Sequence, residues 1–332
     1  MSRTSLVGWA GLATTMILAA CGSAGAPPPT ASSAAPIAPA TPTASSIAVA
    51  SGAASGAPTD PVQYTADIDV GGRTLHLFCV GTAAPGSPTV LGESGLGGDS
   101  RTWNDLAYAI GARTRICSYD RAGTYLSPAD PAASRTLADQ VDDLDRLIAA
   151  ADIDGPLVLV VHSIGAWHAA LFTSRHPEDV VGIVLADPRG PRVSAGWLAA
   201  LPPAAAGEPA AVAANRDELT TFEQDPGQND EHLDLVSAAK EASAVLDPKA
   251  PLFGNHPLIV LSGGLTSANW ADLPGDLKAT FDRIWHDGQA ALAAESTKGR
   301  LEVIADSDHD LPGMRPDAVI AALEDVLDQV GG

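Results

Sequence analysis

The segment Val160–Trp167, VVHSIGAW, carries a serine in a setting that favours nucleophilic chemistry. Ser163 follows β-branched apolar residues that predict a buried strand, and a helical pattern begins at Ala166. At such a strand-to-helix turn a strained backbone pushes the serine hydroxyl outward. Gly165 allows strand and helix to approach closely, although Val161 occupies the preceding position where a second small residue is expected. The alternative is a small residue where a buried strand simply meets a helix.

A glycine-rich loop, LGESGLGGDSRTW over residues 91–103, follows another predicted strand. Such a loop can cradle phosphate, but it has no Lys where a P-loop needs one, and it lacks the third glycine of a dinucleotide fingerprint. We therefore expect it to present main-chain N–H groups to an oxyanion. The Leu96 N–H would act together with that of Ile164, the residue after the serine.

The whole composition describes a globular, acidic protein. Its 332 residues are 45% hydrophobic, which is enough to fill a large core. The formal net charge of −21 would repel a phosphate backbone, so no nucleic-acid partner is expected.

The N-terminal residues 1–20 have the layout of a secretory signal, with one Arg before an apolar run that is too short to span a bilayer. The run ends at Leu18-Ala19-Ala20-Cys21, which resembles the lipobox of bacterial lipoproteins, where the Cys is lipidated. The alternative is ordinary cleavage with Cys21 incidental. Residues 21–62 are mostly Ala, Pro, Ser, Thr and Gly, which predicts a disordered tether. We expect an exported protein that is held to the membrane by a lipid on Cys21.

From residue 63 onward, apolar strands alternate with helical patterns, which predicts an α/β fold with a mostly parallel sheet and helices on both faces. Gly71-Gly72 predicts a hairpin between the first two of eight strands. The predicted strands are Ala66–Val70, Thr74–Val80, Pro88–Gly92, Arg115–Tyr119, Pro156–Val161, Val180–Ala186, Pro257–Leu261 and Arg300–Ile304.

Two amphipathic patterns predict helices at Thr136–Ala151 and Pro316–Val330, with Thr136 and Asp139 forming a variant of the capping box. Residues 188–256 break the alternation and are rich in Ala and Pro. We expect them to form a cap or lid inserted between the two parts of the core, 63–187 and 257–332. Trp197, Leu198 and Phe222 would lie on its apolar face.

Four motifs together resemble the α/β-hydrolase family over nearly all of residues 64–330. ESGLGG matches the family's HGxGG loop with Ser94 in place of His, and CSYDRAG, residues 117–123, matches its YDRxG segment. VHSIG matches the nucleophile elbow, and DSDHDLPGMRPDAV matches the late loop that carries the catalytic His. The resemblance implies an α/β-hydrolase fold and a serine hydrolase.

The same resemblance implies a catalytic triad of Ser163, His309 and an acid. His309 lies between the last strand and the last helix, and it would activate the serine. The acid commonly follows the seventh strand, where Asp272 is the first carboxylate, but some members place it after the sixth strand, where Asp187 stands. We favour Asp187, since the chain order then matches the family. An Asp before Pro that only starts a turn is the alternative.

The aspartates around His309 also form a D-x-D-x-D pattern at Asp306, Asp308 and Asp310. Leu311 stands where a calcium loop needs Gly, and Asp317 where it needs Glu. We expect no metal and no cofactor, and expect these acids to be solvated and to favour protonated His309 electrostatically.

The chain contains three cysteines, two of which remain after Cys21 is assigned to lipid. Cys79 and Cys117 lie in the second and fourth strands, which are neighbours in α/β-hydrolases, and export would favour a disulfide between them. Two buried thiols are the alternative.

We therefore expect an exported, lipid-anchored serine hydrolase that cleaves small-molecule carboxylic esters or related acyl compounds. A peptidase similar to proline iminopeptidases is one alternative, because it shares the fold. A lipoprotein that keeps the fold but binds a ligand without turnover is another, from a different functional class.

Overall fold

A computed structural model describes residues 61–153, 155–246 and 249–331. The predicted signal peptide, Cys21 and residues 21–60 of the predicted tether lie outside the described residues.

A single eight-stranded sheet organises the described residues, with the strand order β1-β2-β4-β3-β5-β6-β7-β8. β2 runs antiparallel to β1 and β4, and the other neighbouring strands are parallel. The predicted α/β class and mostly parallel sheet are confirmed. The strands are β1 Gln63–Asp69, β2 Thr74–Val80, β3 Thr89–Glu93, β4 Ile116–Tyr119, β5 Leu157–His162, β6 Val180–Ala186, β7 Leu258–Gly263 and β8 Gly299–Ile304.

The predicted hairpin joins β1 and β2. Gly71 and Gly72 both have positive φ, 90° and 97°, a region that glycine adopts without steric cost. The Asp69 carboxylate accepts hydrogen bonds from the N–H groups of both glycines, and Val70 N–H donates to the Arg73 carbonyl. The turn therefore begins earlier than predicted, and β1 begins earlier too, because its exposed polar start lacks the apolar alternation on which the prediction relied.

Helices cover both faces of the sheet, as predicted. On one face, α1 and α9 pack on Val158 and Val160 of β5, and on the other, α2, α3 and α6 pack on Leu159 and Val161. Side chains alternate between faces along a strand, so one strand contributes to both cores. The helices are α1 Asn104–Ile110, α2 Leu137–Ala150, α3 Gly165–Arg175, α4 Val193–Ala200, α5 Ala210–Asp217, α6 Leu235–Val245, α7 Gly275–Ala293, α8 Leu311–Met314 and α9 Pro316–Val330.

Local capping fixes where α2 begins. The Thr136 hydroxyl accepts Asp139 N–H, and the Asp139 carboxylate accepts Thr136 N–H, which completes the predicted capping box. Both bonds satisfy main-chain donors that a helix start leaves unpaired. They fix the start of a helix that packs on α3, α6 and β1.

The described residues of the 188–256 segment form α4, α5 and α6, with a π-helical turn at Glu218–Phe222 and a 3₁₀ turn at Pro226–Gln228 between α5 and α6. α6 packs on the core helix α3, whereas α4 packs on α7 in an aromatic cluster. In that cluster Trp197 stacks on Phe281 and Trp285, with ring centroids 5.1 and 5.8 Å apart. The expected cap is thus tied to the core at both ends by apolar contacts.

Cys79 and Cys117 form a disulfide between β2 and β4. The two residues are directly opposite in the antiparallel register. The bond therefore crosslinks the antiparallel edge of the sheet to its parallel centre.

Among the described residues, the structure has no helix that is both long enough and apolar enough to cross a membrane.

Replacing both sheet cysteines by alanine should lower the free energy of unfolding. The bond closes a loop with a sequence separation of 38 residues, for which chain entropy predicts a loss of about 3–4 kcal/mol. Urea unfolding of the wild type and the double variant, followed by circular dichroism, measures the difference. Non-reducing peptide mapping is the control, and free thiols on both residues of the folded protein would contradict the pairing.

Candidate active site

Ser163 occupies a sharp turn between β5 and α3. Its φ is +54°, in the left-handed region that non-glycine residues rarely adopt. The residue is 8% exposed, so the serine is largely buried at this turn. This backbone is the strained turn that the sequence predicts.

Glycines make this turn possible by allowing close main-chain approach. A Cβ on Gly165 would lie 2.6 Å from the Glu93 carbonyl at the end of β3, closer than atoms can pack. A Cβ on Gly95 would lie 3.0 Å from that of Ser163. Val161, the departure from the usual elbow, is fully buried and belongs to the core cluster on the α2 and α3 face. Its side chain is therefore accommodated without moving the serine.

His309 lies in the loop between β8 and α8, and it joins Ser163 to Asp187. Its Nε2 is 3.0 Å from Ser163 Oγ, and its Nδ1 is 2.7 Å from Asp187 Oδ2. In the arrangement that suits a base, Nδ1–H donates to the carboxylate and Nε2 accepts the serine proton. Three residues that are far apart in sequence thus meet at the carboxyl edge of the sheet.

Asp187 is fully buried directly after β6, with a φ of +41°. Besides His309, its carboxylate accepts Gly263 N–H at 2.9 Å, Thr266 Oγ1–H at 3.0 Å and Gln289 Nε2–H at 2.7 Å. These donors satisfy a buried charge that would otherwise be costly. They also fix the carboxylate beside the imidazole.

Asp272, the alternative acid, is exposed, and the His309 ring nitrogens bond to Asp187 and Ser163 instead. It lies after the short helical turn Thr266–Trp270, which follows β7. In the part of the chain that the structure describes, geometry therefore favours Asp187 as the orienting acid, as the sequence does. Sequence reasoning missed Thr266 and Gln289, since neither lies in a recognisable motif.

His162 lies beside the serine and supports the loop of the candidate base. Its Nε2–H donates to the His309 carbonyl at 2.7 Å, and the two rings lie 4.8 Å apart. Burial, followed by the charge of His309, lowers the pKa of His162 to about 4. The ring is therefore a weaker proton acceptor than an ordinary imidazole.

The aspartates near His309 serve other local purposes. Asp306 pairs with Arg315, and Asp310 caps the N-terminus of α8 by accepting Gly313 N–H. Among the described residues, no group of His, Cys, Asp and Glu side chains is arranged to hold a metal ion. The edge of Trp285 faces the His309 ring at 5.4 Å between centroids.

The glycine-rich loop after β3 lies against the serine turn through Gly95. Ser94 Oγ–H donates to the Asp99 carbonyl at 2.8 Å, so the serine that replaces the usual His closes this loop internally. Within the described residues, no hydrogen bond engages the N–H groups of Leu96 or Ile164. Both N–H groups are thus free to donate to a ligand.

A buried ionic cluster lies under the same loop, and sequence reasoning missed it. Arg121 pairs with Glu93 at the end of β3 and with Glu231 of the 188–256 segment. Glu93 could have been singled out from the sequence, because it is a charged residue at the end of an otherwise apolar strand. No local pattern marked Glu231.

Comparison with known proteins identifies the family. A profile of the alpha/beta hydrolase family matches residues 90–322. The chain belongs to the alpha/beta hydrolase family. The match contains the glycine-rich loop, the serine turn and the His309 loop.

Relatives of this hydrolase are distant. The uncharacterized protein YqjL of Bacillus subtilis (strain 168) is 27% identical over 239 residues, which are 72% of this chain and 83% of YqjL. An esterase from Thermogutta terrifontis has a TM-score of 0.54 at 19% identity, with 81% of this chain and 99% of that chain covered. The enol-lactonase of Burkholderia xenovorans LB400 has a TM-score of 0.53 at 20% identity, with 80% and 100% covered. These structures support the fold of the hydrolase. At 19% and 20% identity they do not assign its substrate.

Asp187→Asn should lower kcat for ester hydrolysis by about 10³-fold or more, because the amide no longer holds the imidazole in the tautomer that accepts the serine proton. Asp272→Asn should change kcat by less than about twofold, since the carboxylate is exposed and His309 Nδ1 bonds to Asp187 instead. Steady-state kinetics on a p-nitrophenyl ester measure both effects. Equal losses in the two variants would show that the acid is misassigned.

Proposed function

We propose that this hydrolase is a serine esterase that cleaves carboxylic esters, or related acyl compounds, through an acyl-enzyme. The observation that carries the proposal is the continuous set of hydrogen bonds from Ser163 Oγ through His309 to Asp187. A serine hydroxyl is a weak nucleophile near neutral pH, and this arrangement is what activates it.

In the first half of the reaction, Ser163 Oγ attacks the carbonyl carbon of the ester, and its proton passes to His309 Nε2. Asp187 stabilises the resulting imidazolium through Nδ1–H. Negative charge develops on the former carbonyl oxygen, where the N–H groups of Leu96 and Ile164 donate to it. When the tetrahedral intermediate collapses, the bond to the alcohol oxygen breaks and the alcohol takes the proton from His309.

In the second half, a water molecule gives a proton to His309 Nε2 as its oxygen attacks the acyl carbon. Collapse of the second tetrahedral intermediate breaks the bond to Ser163 Oγ, which recovers its proton from His309. The products are a carboxylic acid and the free serine. No cofactor takes part in either half.

We propose that the 188–256 segment selects the substrate. Arg189 N–H donates to the Ser163 carbonyl at 3.0 Å, so the segment starts beside the nucleophile. A cavity of about 480 Å³ lies between α4 and α6, with Leu198, Leu219 and Leu235 in its lining. An apolar lining suits an acyl or alkyl group better than a charged one.

The buried charges of the segment favour an ester over a peptide with a free amine. Among its described residues, the buried carboxylates are Glu223 and Glu231, and each is paired with an arginine, Arg189 and Arg121. A peptidase that holds a substrate ammonium needs a carboxylate available to it. We therefore rank the iminopeptidase alternative below the esterase.

We further propose that the enzyme is exported and anchored to the membrane by lipid on Cys21. The support is the sequence alone: the apolar run ending at Leu18-Ala19-Ala20-Cys21 and the tether that follows it. A diacylglyceryl group with a further acyl chain anchors a protein more stably than one chain does.

A fluorophosphonate probe should label the wild-type protein at Ser163, because the activated hydroxyl displaces fluoride from phosphorus. Ser163→Ala should lose the label, and its kcat for p-nitrophenyl esters should fall by at least about 10³-fold. Peptide mass spectrometry locates the adduct. A folded wild type that takes no label would favour the ligand-binding alternative, and faster cleavage of aminoacyl anilides than of esters would favour the peptidase.

Cys21→Ala should release the protein from the membrane fraction of expressing cells without changing kcat in detergent, since the anchor is far from the chemistry in sequence. Fractionation with immunoblotting, together with mass spectrometry of the N-terminal peptide, measures this. An unlipidated wild-type Cys21 would contradict the anchor while leaving the esterase proposal intact.

A further inference from the structure

Arg121 lies 3% exposed beneath the glycine-rich loop, and every N–H of its guanidinium has an acceptor. Nε donates to Glu231 Oε2 at 2.7 Å, and Nη2 donates to Glu231 Oε1 at 2.8 Å. Nη1 donates to Glu93 Oε1 at 2.5 Å. The remaining bonds run to main-chain carbonyls of the loop, from Nη1 to Ser94 at 2.8 Å and from Nη2 to Gly95 at 2.5 Å.

The bond to the Gly95 carbonyl determines the direction of the Leu96 N–H. A peptide unit is planar and trans, so its C=O and N–H point in opposite directions. The Gly95 carbonyl and the Leu96 N–H belong to one such unit. Holding the carbonyl with a charged donor therefore aims the N–H at a fixed place, and it also polarises the unit so that the N–H becomes a stronger donor.

The next peptide unit is held by the same pair of side chains. Gly97 N–H donates to Glu231 Oε1 at 2.7 Å, while that oxygen also accepts from Arg121. Gly97 has a φ of +68°, which suits the bend of the loop. The two peptide units that flank Leu96 are thus both fixed by Arg121 and Glu231.

Glu231 is itself firmly placed. It is 1% exposed, and its second oxygen also accepts from Gln140 Nε2 at 3.2 Å. Burial opposes its ionisation, but the charge and hydrogen bonds of Arg121 outweigh burial and lower the pKa of Glu231. The main chain of Arg135 pairs with the chain next to Glu231: its N–H donates to the His232 carbonyl, and its carbonyl accepts a hydrogen bond from Asp234 N–H.

We infer that Glu231 is a positioning residue for the proposed acyl transfer: through Arg121 and Gly97 it fixes the main-chain donor of Leu96 that receives the oxyanion. This inference rests on the proposed function. It means that the 188–256 segment contributes to the rate of the reaction as well as to substrate selection.

Glu231→Gln keeps the size of the side chain but removes its charge, so Arg121 and the loop should lose their fixed geometry. For a p-nitrophenyl ester, kcat should fall by about 10-fold or more, while KM stays within about twofold, because the donor acts in the transition state. The inhibition constant of an aryl boronic acid, which adds to the serine hydroxyl as a tetrahedral mimic, should rise by the same factor as kcat/KM falls. Glu231→Asp, which keeps the charge, should recover part of both losses.

Asp143→Asn is the matched control, because Asp143 is also a buried carboxylate that pairs with arginine, here Arg73, Arg135 and Arg146, but it makes no contact with the loop. It should lower the melting temperature and leave kcat and the boronic acid constant within about twofold. If Glu231→Gln does not fold, Glu231→Asp carries the same comparison.

This inference alone would be overturned if the wild type hydrolyses the ester and the folded Glu231 variants have the same kcat and the same inhibition constant as the wild type. A wild type that neither hydrolyses esters nor takes label at Ser163 would overturn the proposed function and this inference with it.

Discussion

The close packing of the end of β3 against the Ser163 turn is the constraint on which the site depends. Gly165 meets the Glu93 carbonyl at a distance that admits no Cβ, and Gly95 lies so close to the serine that a Cβ there would fit only tightly. This contact holds the serine at a φ of +54°, a conformation that costs of order 1–3 kcal/mol and persists only where the surroundings enforce it. It also brings together the two segments that carry the free N–H groups, the loop with Leu96 and the turn with Ile164.

The cost of this arrangement is offset by buried polar groups on both sides of the serine. On one side, Asp187 accepts from main-chain and side-chain donors of β7, of the turn after it and of α7. On the other side, Arg121 holds the glycine-rich loop with two carboxylates. Because these buried charges are paired, removing one partner by mutation would leave the other as an unpaired charge in the protein interior, which is costly. The site is therefore rigid because its charges are satisfied, and a rigid site stabilises charge in a transition state without reorganising.

Much of the fold was predictable because its signals are local. Most of the strands are apolar runs bounded by turns, the cap of α2 is a short motif, and Gly71-Gly72 specifies its own hairpin. Ser163 and His309 were also predictable, since each lies in a segment that resembles a family motif. The pairing of Cys79 with Cys117 was predicted because their two strands were expected to be neighbours in the sheet. The register places the two cysteines opposite each other.

The supporting residues were not predictable for a physical reason. Gln289 is 102 residues from Asp187, and Glu231 is 110 residues from Arg121. Neither residue has a periodic or motif context, so only the packing of α7 and of the 188–256 segment brings them to the site. The anchor at Cys21 lies outside the described residues and stays a prediction.

A crystal structure of the protein after reaction with a fluorophosphonate tests the central claim most directly. Phosphorus should be bonded to Ser163 Oγ, and its phosphoryl oxygen should lie within about 3 Å of both the Leu96 and Ile164 nitrogens. An adduct on another residue, or a phosphoryl oxygen that faces away from both N–H groups, would contradict it.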